Sequence, residues 1–190
     1  DLYVQAHHLP GIEPVGIDCN IGSQLTHIEP FLDALQRLKV LRRQLMDMGM
    51  RIQYLDLGGG LGITYGEEDP PHPKELGQAL SQALQGEDVT LILEPGRVIA
   101  GNAGILVSRV LASKPTEHKN FVVVDAAMND LIRPSLYSAY HRIAEVQQNN
   151  RDEQTVDVVG PICETGDFLA KDRILPGLQP DDLIAVFSSG

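Results

Sequence analysis

Three apolar runs, Val15–Cys19, Ile52–Leu57 and Val89–Leu93, begin at even steps of about 37 residues. Each closes in a polar, glycine-bearing turn: Asn20-Ile21-Gly22-Ser23, Gly58-Gly59-Gly60 and Glu94-Pro95-Gly96-Arg97. A step of that length holds one strand, one helix and their loops, the repeat of a β/α barrel, in which chemistry gathers at the C-terminal ends of the strands. Runs this apolar predict parallel strands covered on both faces. Three such strands cannot close a barrel that needs about eight, so the chain reads as part of a larger protein.

The intervals carry helical patterns. Thr26-His27-Ile28-Glu29 has capping-box spacing with Pro30 just inside, so a helix is expected to start there. Its stripe runs through Phe31, Leu35, Leu38, Leu41 or Arg42, Leu45 and Met48, and Gly49 is a natural stop. A loop with Pro70, Pro71 and Pro73 precedes a second helix with Leu76, Leu80 and Leu84 on one face.

Past Arg97 the pattern changes. Gly104–Ser113, Asn120–Asp125, Thr155–Val159 and Asp181–Val186 are strand-like, and only Leu131–Gln147 has room for helical turns. This predicts a boundary near residue 100, with an α/β part over 1–100 and a β part over 101–190.

Composition narrows the function classes. With 190 residues and a formal net charge of -11, the chain lacks the basic stripe that nucleic-acid binding requires. No apolar run reaches the roughly 18 residues that a spanning helix needs, and no signal peptide is seen. Cys19 and Cys163 form no CxxC or zinc pattern and read as reduced thiols of a cytoplasmic protein.

The three turns are the first candidate site. Glycine lets backbone N–H groups face an anion without a side chain in the way. A single such turn is usually only a turn; three at successive strand ends leave plain turns and an anion cradle both open. Glu94 and Arg97 read either as a structural ion pair or as groups aimed into a site, where the guanidinium fork suits phosphate or carboxylate. Glu94, ending so apolar a run, would need a partner if buried. Cys163, with Glu164 and Asp167 close by, suits a proton donor better than a nucleophile, although a lone cysteine is most often a small buried hydrophobe. Arg133 and Tyr137, four apart, read on their own as a solvated charge beside a packed ring.

Gly16 to Leu25, Leu55 to Gly62, Glu94 to Arg97, Val124 to Pro134 and Cys163 to Asp167 together resemble the diaminopimelate decarboxylases, of the alanine-racemase-like, fold-type III group of pyridoxal-phosphate enzymes. The likeness runs through essentially the whole chain, in order. It implies the last strands of a pyridoxal-phosphate-binding (β/α)8 barrel over 1–100, followed by part of a β-sandwich or β-barrel domain over 101–190. It implies that Asn20, Ser23, Gly58, Gly59, Gly60, Glu94, Pro95, Gly96 and Arg97 surround the cofactor, with Glu94 on the pyridine nitrogen. It also implies that Arg97, Arg133 and Tyr137 grip substrate carboxylates, that Glu164 reads the distal amine, and that Cys163 supplies a proton from the opposite protomer of a homodimer with shared active sites. The implied reaction takes meso-2,6-diaminopimelate to L-lysine. Ornithine, arginine or carboxynorspermidine decarboxylation, or a catalytically silent regulatory homologue, are the alternatives.

Three departures accompany the likeness. The family motif has a ring-stacking histidine where this chain has Asn20. The cofactor-bearing lysine is expected ahead of Asp1, since none of Lys39, Lys74, Lys114, Lys119 or Lys171 stands in its context. A cofactor-contacting tyrosine is expected beyond Gly190. The sequence therefore reads as an internal fragment, inactive alone, of a longer enzyme.

Overall fold

A computed structural model describes residues 2–190. The chain divides into two compact units. One takes the chain up to Thr64 together with Glu68–Ile99, and the other takes Tyr65–Glu67 together with Ala100–Gly190.

In the first unit, helix α1 (Leu2–His8) leads to strand β1 (Gly16–Asp18), helix α2 (Glu29–Asp47), strand β2 (Tyr54–Asp56), helix α3 (Pro73–Ala83), strand β3 (Thr90–Ile92) and the short helix α4 (Arg97–Ala100). The three strands pair in parallel in the order β1-β2-β3, with Ile17, Leu55 and Leu91 side by side in register. That row faces a core that includes Phe31, Leu35 and Leu45 of α2 and Leu76 and Leu80 of α3. The rows on the opposite face leave Asp18, Tyr54, Thr90 and Ile92 exposed. Coverage on both faces was expected from the apolar runs, but α2 and α3 cover only one.

Helix α2 starts differently from its sequence signal. Its N-cap is Ile28, with no side-chain cap, and Pro30 occupies the first turn. Thr26 and Glu29 therefore do not form the expected box. The box belongs instead to α3: His72 Nδ1 accepts from the Lys74 N–H at 3.1 Å, and the Glu75 carboxylate accepts from the His72 N–H at 2.8 Å. Of the alternatives in the α2 stripe, Arg42 is the buried one, whereas Met48 is the exposed C-cap. The buried Arg42 is hydrogen-bonded on all three nitrogens: Nε donates to Ile52 O, Nη2 to Asp88 O and Nη1 to Glu87. It ties α2 to the segments that open β2 and β3.

In the second unit, a turn of 3-10 helix (Gly101–Ala103) precedes strands β4 (Leu106–Pro115) and β5 (Asn120–Val124), helix α5 (Arg133–Tyr137), and strands β6 (Ile143–Glu145), β7 (Glu153–Val159), β8 (Phe168–Pro176) and β9 (Leu183–Val186). They form one mixed sheet in the order β6-β9-β4-β5-β7-β8, in which only β5 and β7 pair in parallel. Val110, Val122, Val124, Val158, Leu169 and Ile184 lie at its core. Arg173 of β8 donates to His141 O, just ahead of β6, at 3.0 Å, so the two edge strands approach one another and the sheet curls toward closure.

Two strands escaped the sequence reading. β6 lies where helical turns were expected; the helix stops after five residues because Ser138 turns left-handed, at φ 51°. β8 is broken in sequence by Lys171-Asp172-Arg173, and Asp172 has φ 49° where the β7–β8 register shifts beside Asp157. The irregularity breaks the alternation that marks a strand.

Candidate functional site

The three turns of the first unit are bonded into one structure. Leu25 N–H donates to Gly60 O at 2.8 Å and Gly62 N–H to Leu25 O at 2.9 Å, joining the first turn to the second. Glu94 N–H donates to Gly58 O at 2.9 Å, joining the second to the third. Side-chain bulk is excluded at these junctions. A Cβ on Gly59 would collide with the Glu94 carbonyl oxygen, and Gly60, at φ 105°, would bring one against the carbonyl oxygen of Gly22.

Arg97 closes the arrangement from the far end. Its Nη2 donates to Ser23 Oγ at 2.9 Å and its Nη1 to Gln24 Oε1 at 3.0 Å. Gln24, at φ 58°, also binds the backbone of Ile63 at both ends of its amide. The sequence reading missed this residue, although it lies within a quoted motif. The Asn20 amide oxygen accepts the Gly22 N–H at 3.1 Å and so shapes its own turn. Glu94 is exposed, so the buried carboxylate that would have demanded a partner is not there. Next to Asn20, the Cys19 thiol is held above its ordinary pKa by burial and, after that, by Asp18 and Asp56.

In the second unit, Arg133 opens α5, its guanidinium carbon 5.7 Å from the ring centre of Tyr65 and 5.6 Å from that of Tyr137. Both are cation–π contacts. The Arg133 Nε is buried with no hydrogen-bond partner. Tyr65 in turn meets buried His141 edge-on at 5.2 Å. The sequence reading did not find Tyr65, because 68 residues separate it from Arg133 and no local pattern joins them.

Cys163 and Glu164 stand exposed on the loop between β7 and β8. Glu164 shapes that loop: its N–H donates to Ile162 O at 2.8 Å, and its Oε1 accepts from the Gly166 N–H at 3.3 Å. Among the described residues no cluster of His, Cys, Asp and Glu could hold a metal ion, and no helix is long and apolar enough to cross a membrane.

A parallel β/α sheet whose strand-end turns are knit around an arginine is followed in the same chain by a curled mixed sheet. The chain belongs to the pyridoxal-dependent decarboxylases, whose C-terminal sheet domain matches residues 3–190. It is 54% identical over 190 residues to the diaminopimelate decarboxylase of Vibrio cholerae and 53% identical over 189 to that of Pseudomonas aeruginosa. In each case all of this chain covers 45% of the relative's length. The crystal structure of the Helicobacter pylori diaminopimelate decarboxylase complexed with L-lysine superposes with a TM-score of 0.89 at 40% identity, over 100% of this chain and 47% of that one. The chain thus spans a little under half the length of the relatives it matches.

Proposed function

We propose that this chain is the later part of a pyridoxal-phosphate-dependent diaminopimelate decarboxylase, which releases CO2 from meso-2,6-diaminopimelate to leave L-lysine. The observation that carries the reading is the grip of Arg97 on Ser23 and Gln24, which fastens the outer turn to a glycine-lined one. The residues fit a phosphate. No heavy atom lies within 4 Å of a Cβ built on Gly22 or Gly96, so there is room over both turns, with the Ser23 hydroxyl and the Arg97 cation beside it.

Ser23, the Gly58–Gly60 turn, Gly96 and Arg97 would hold the phosphate, Asn20 and Pro95 would also border the cofactor, and Glu94 would pair with its ring nitrogen. When bound, the cofactor supplies a sink for the electron pair released as CO2 departs. Arg97, Arg133 and Tyr137 bind substrate carboxylates. Glu164 reads the distal amine. Cys163 delivers its thiol proton to the carbon that lost CO2.

The exposed face of β1–β3 supports placing these strands in a barrel completed by further strands of the parent, with the division from the β domain near residue 100. The parent is proposed to be a cytoplasmic homodimer in which Cys163 serves the opposite protomer. The test uses the full-length protein with pyridoxal phosphate: an absorbance band from bound cofactor and CO2 release from meso-diaminopimelate are expected, and absence of both overturns the reading. Assays with ornithine, arginine and carboxynorspermidine separate the related substrates. One observation favours a second reading, a silent homologue: Asn20 offers no aromatic face. A large gain in rate on Asn20→His would support it.

A further inference from the structure

Asp167 is only 4% exposed, and its two carboxylate oxygens reach two different pieces of backbone. Oδ1 accepts from the Met128 N–H at 2.7 Å, and Oδ2 accepts from the Ile162 N–H at 2.7 Å. Bonds from N–H groups to an ionised carboxylate are short and strong, and they are what makes burial of such a group tolerable.

The surrounding backbone is shaped to admit the carboxylate. Gly160, immediately after β7, donates its N–H to Asp167 O at 3.2 Å. A Cβ on Gly160 would overlap both carboxylate oxygens and stand 2.8 Å from Ala126 O. Any other residue at 160 therefore expels the carboxylate or displaces the 126–128 backbone.

The two donors belong to segments with different tasks. Ile162 adjoins Cys163 and Glu164, while Met128 begins the stretch that runs through Leu131 into α5 with Arg133 and Tyr137. The bonds of Glu164 within its own loop set the loop's shape, but they do not attach it elsewhere. The Asp167 carboxylate does.

We propose that Asp167 is a positioning residue, whose carboxylate fixes the loop bearing Cys163 and Glu164 against the segment bearing Arg133 and Tyr137. As to catalysis, the proposal rests on the functional reading above. Asp167→Asn keeps the shape but turns an NH2 group toward one of the two backbone donors, so one bond becomes a donor–donor conflict. Gly160→Ala attacks the same arrangement from the other side without touching a charged group.

The test compares full-length wild type, Asp167→Asn and Gly160→Ala in two ways. First, amide hydrogen exchange needs no turnover: in both variants the amides of Ile162 and Met128 are expected to exchange about tenfold faster or more, with the cofactor-turn amides unchanged. Second, the reaction is run in deuterium oxide. The C–CO2 bond breaks, CO2 leaves, and the electron pair left on carbon takes one deuteron from the Cys163 thiol, which is resupplied by solvent. Wild type is expected to label one face of that carbon. Both variants are expected to label both faces, with kcat down about tenfold or more and KM within about threefold. A loss of stability alone would not scramble the label. Should Asp167→Asn fail to fold, Gly160→Ala carries the comparison. Wild-type exchange at both amides together with single-faced labelling overturns the proposal. Failure of wild type to release CO2 overturns the functional reading instead, while the exchange comparison still decides the role of Asp167.

Discussion

Arg97 Nη2 donates to the hydroxyl of Ser23 at 2.9 Å, joining two turns that lie 74 positions apart in sequence. Between them sits the triple-glycine turn, bonded to both neighbours. The arginine thus completes a structure that no single turn forms alone, and its charge is held where an anion over the open Gly22 and Gly96 would meet it.

If that charge holds a phosphate, replacing Arg97 weakens cofactor binding in graded steps. Arg97→Lys keeps a point charge but loses the fork shared between Ser23 and Gln24, and is expected to raise the Kd for pyridoxal phosphate about tenfold. Arg97→Met removes the charge and is expected to cost more. Ser23→Ala, which removes one acceptor and one donor, is expected to fall below both. Absorbance titration of the full-length apoprotein checks the order.

Gly59 is placed by backbone crowding. Since a Cβ there runs into the Glu94 carbonyl oxygen, and that oxygen belongs to backbone that cannot swing away, Gly59→Ala forces the second and third turns apart. Overpacking of this kind costs about 1–3 kcal/mol. A lower thermal midpoint and weaker cofactor binding are expected together. An unchanged midpoint would show that the turns yield.

The strand-end turns were legible because glycine, proline and charge break apolar runs sharply, and the even spacing gave the β/α order. The start of α2 was misread because Thr26 and Glu29 have the right spacing, yet the N-cap is Ile28 and the helix begins at Glu29. A spacing rule sees residue types but not where the first helical bond forms. β8 was illegible for the opposite reason: its bulge at Asp172 puts charge where alternation predicts otherwise. In the candidate site, Arg97 and Arg133 could be picked out from their motifs. Gln24 and Tyr65 act through partners 39 or more positions away, as does Asp167 through Met128, and such pairings leave no local mark.

Glu87 gives a pH dependence with a definite sign. Its carboxyl is held below the ordinary value of 4.5, first by the hydrogen bond from Lys39, then by the charges of Lys39, Arg43 and Arg42, although burial pulls the other way. A carboxyl depressed on folding contributes stability that is fully present above its unfolded value and is lost as pH falls through its folded value. Glu87→Gln is therefore expected to lower the thermal midpoint at neutral pH, and the gap from wild type is expected to close as pH drops below 4.5. A gap that persists unchanged in acid would mean that Glu87 acts through packing, not charge.

Gly77 makes the opposite prediction from Gly59. It lies inside α3 with no heavy atom within 4 Å of a built Cβ, so alanine meets no obstacle there. It also lines an apolar cavity of about 140 Å³ with Phe31, Leu61, Leu76, Leu93 and Val98, and a methyl group there takes up part of that space. Glycine inside a helix costs roughly 0.5–1 kcal/mol relative to alanine, largely through the freedom it keeps when unfolded. Gly77→Ala is therefore expected to raise the thermal midpoint of the full-length protein. A lower midpoint would show that something in the full-length protein occupies the space beside Gly77.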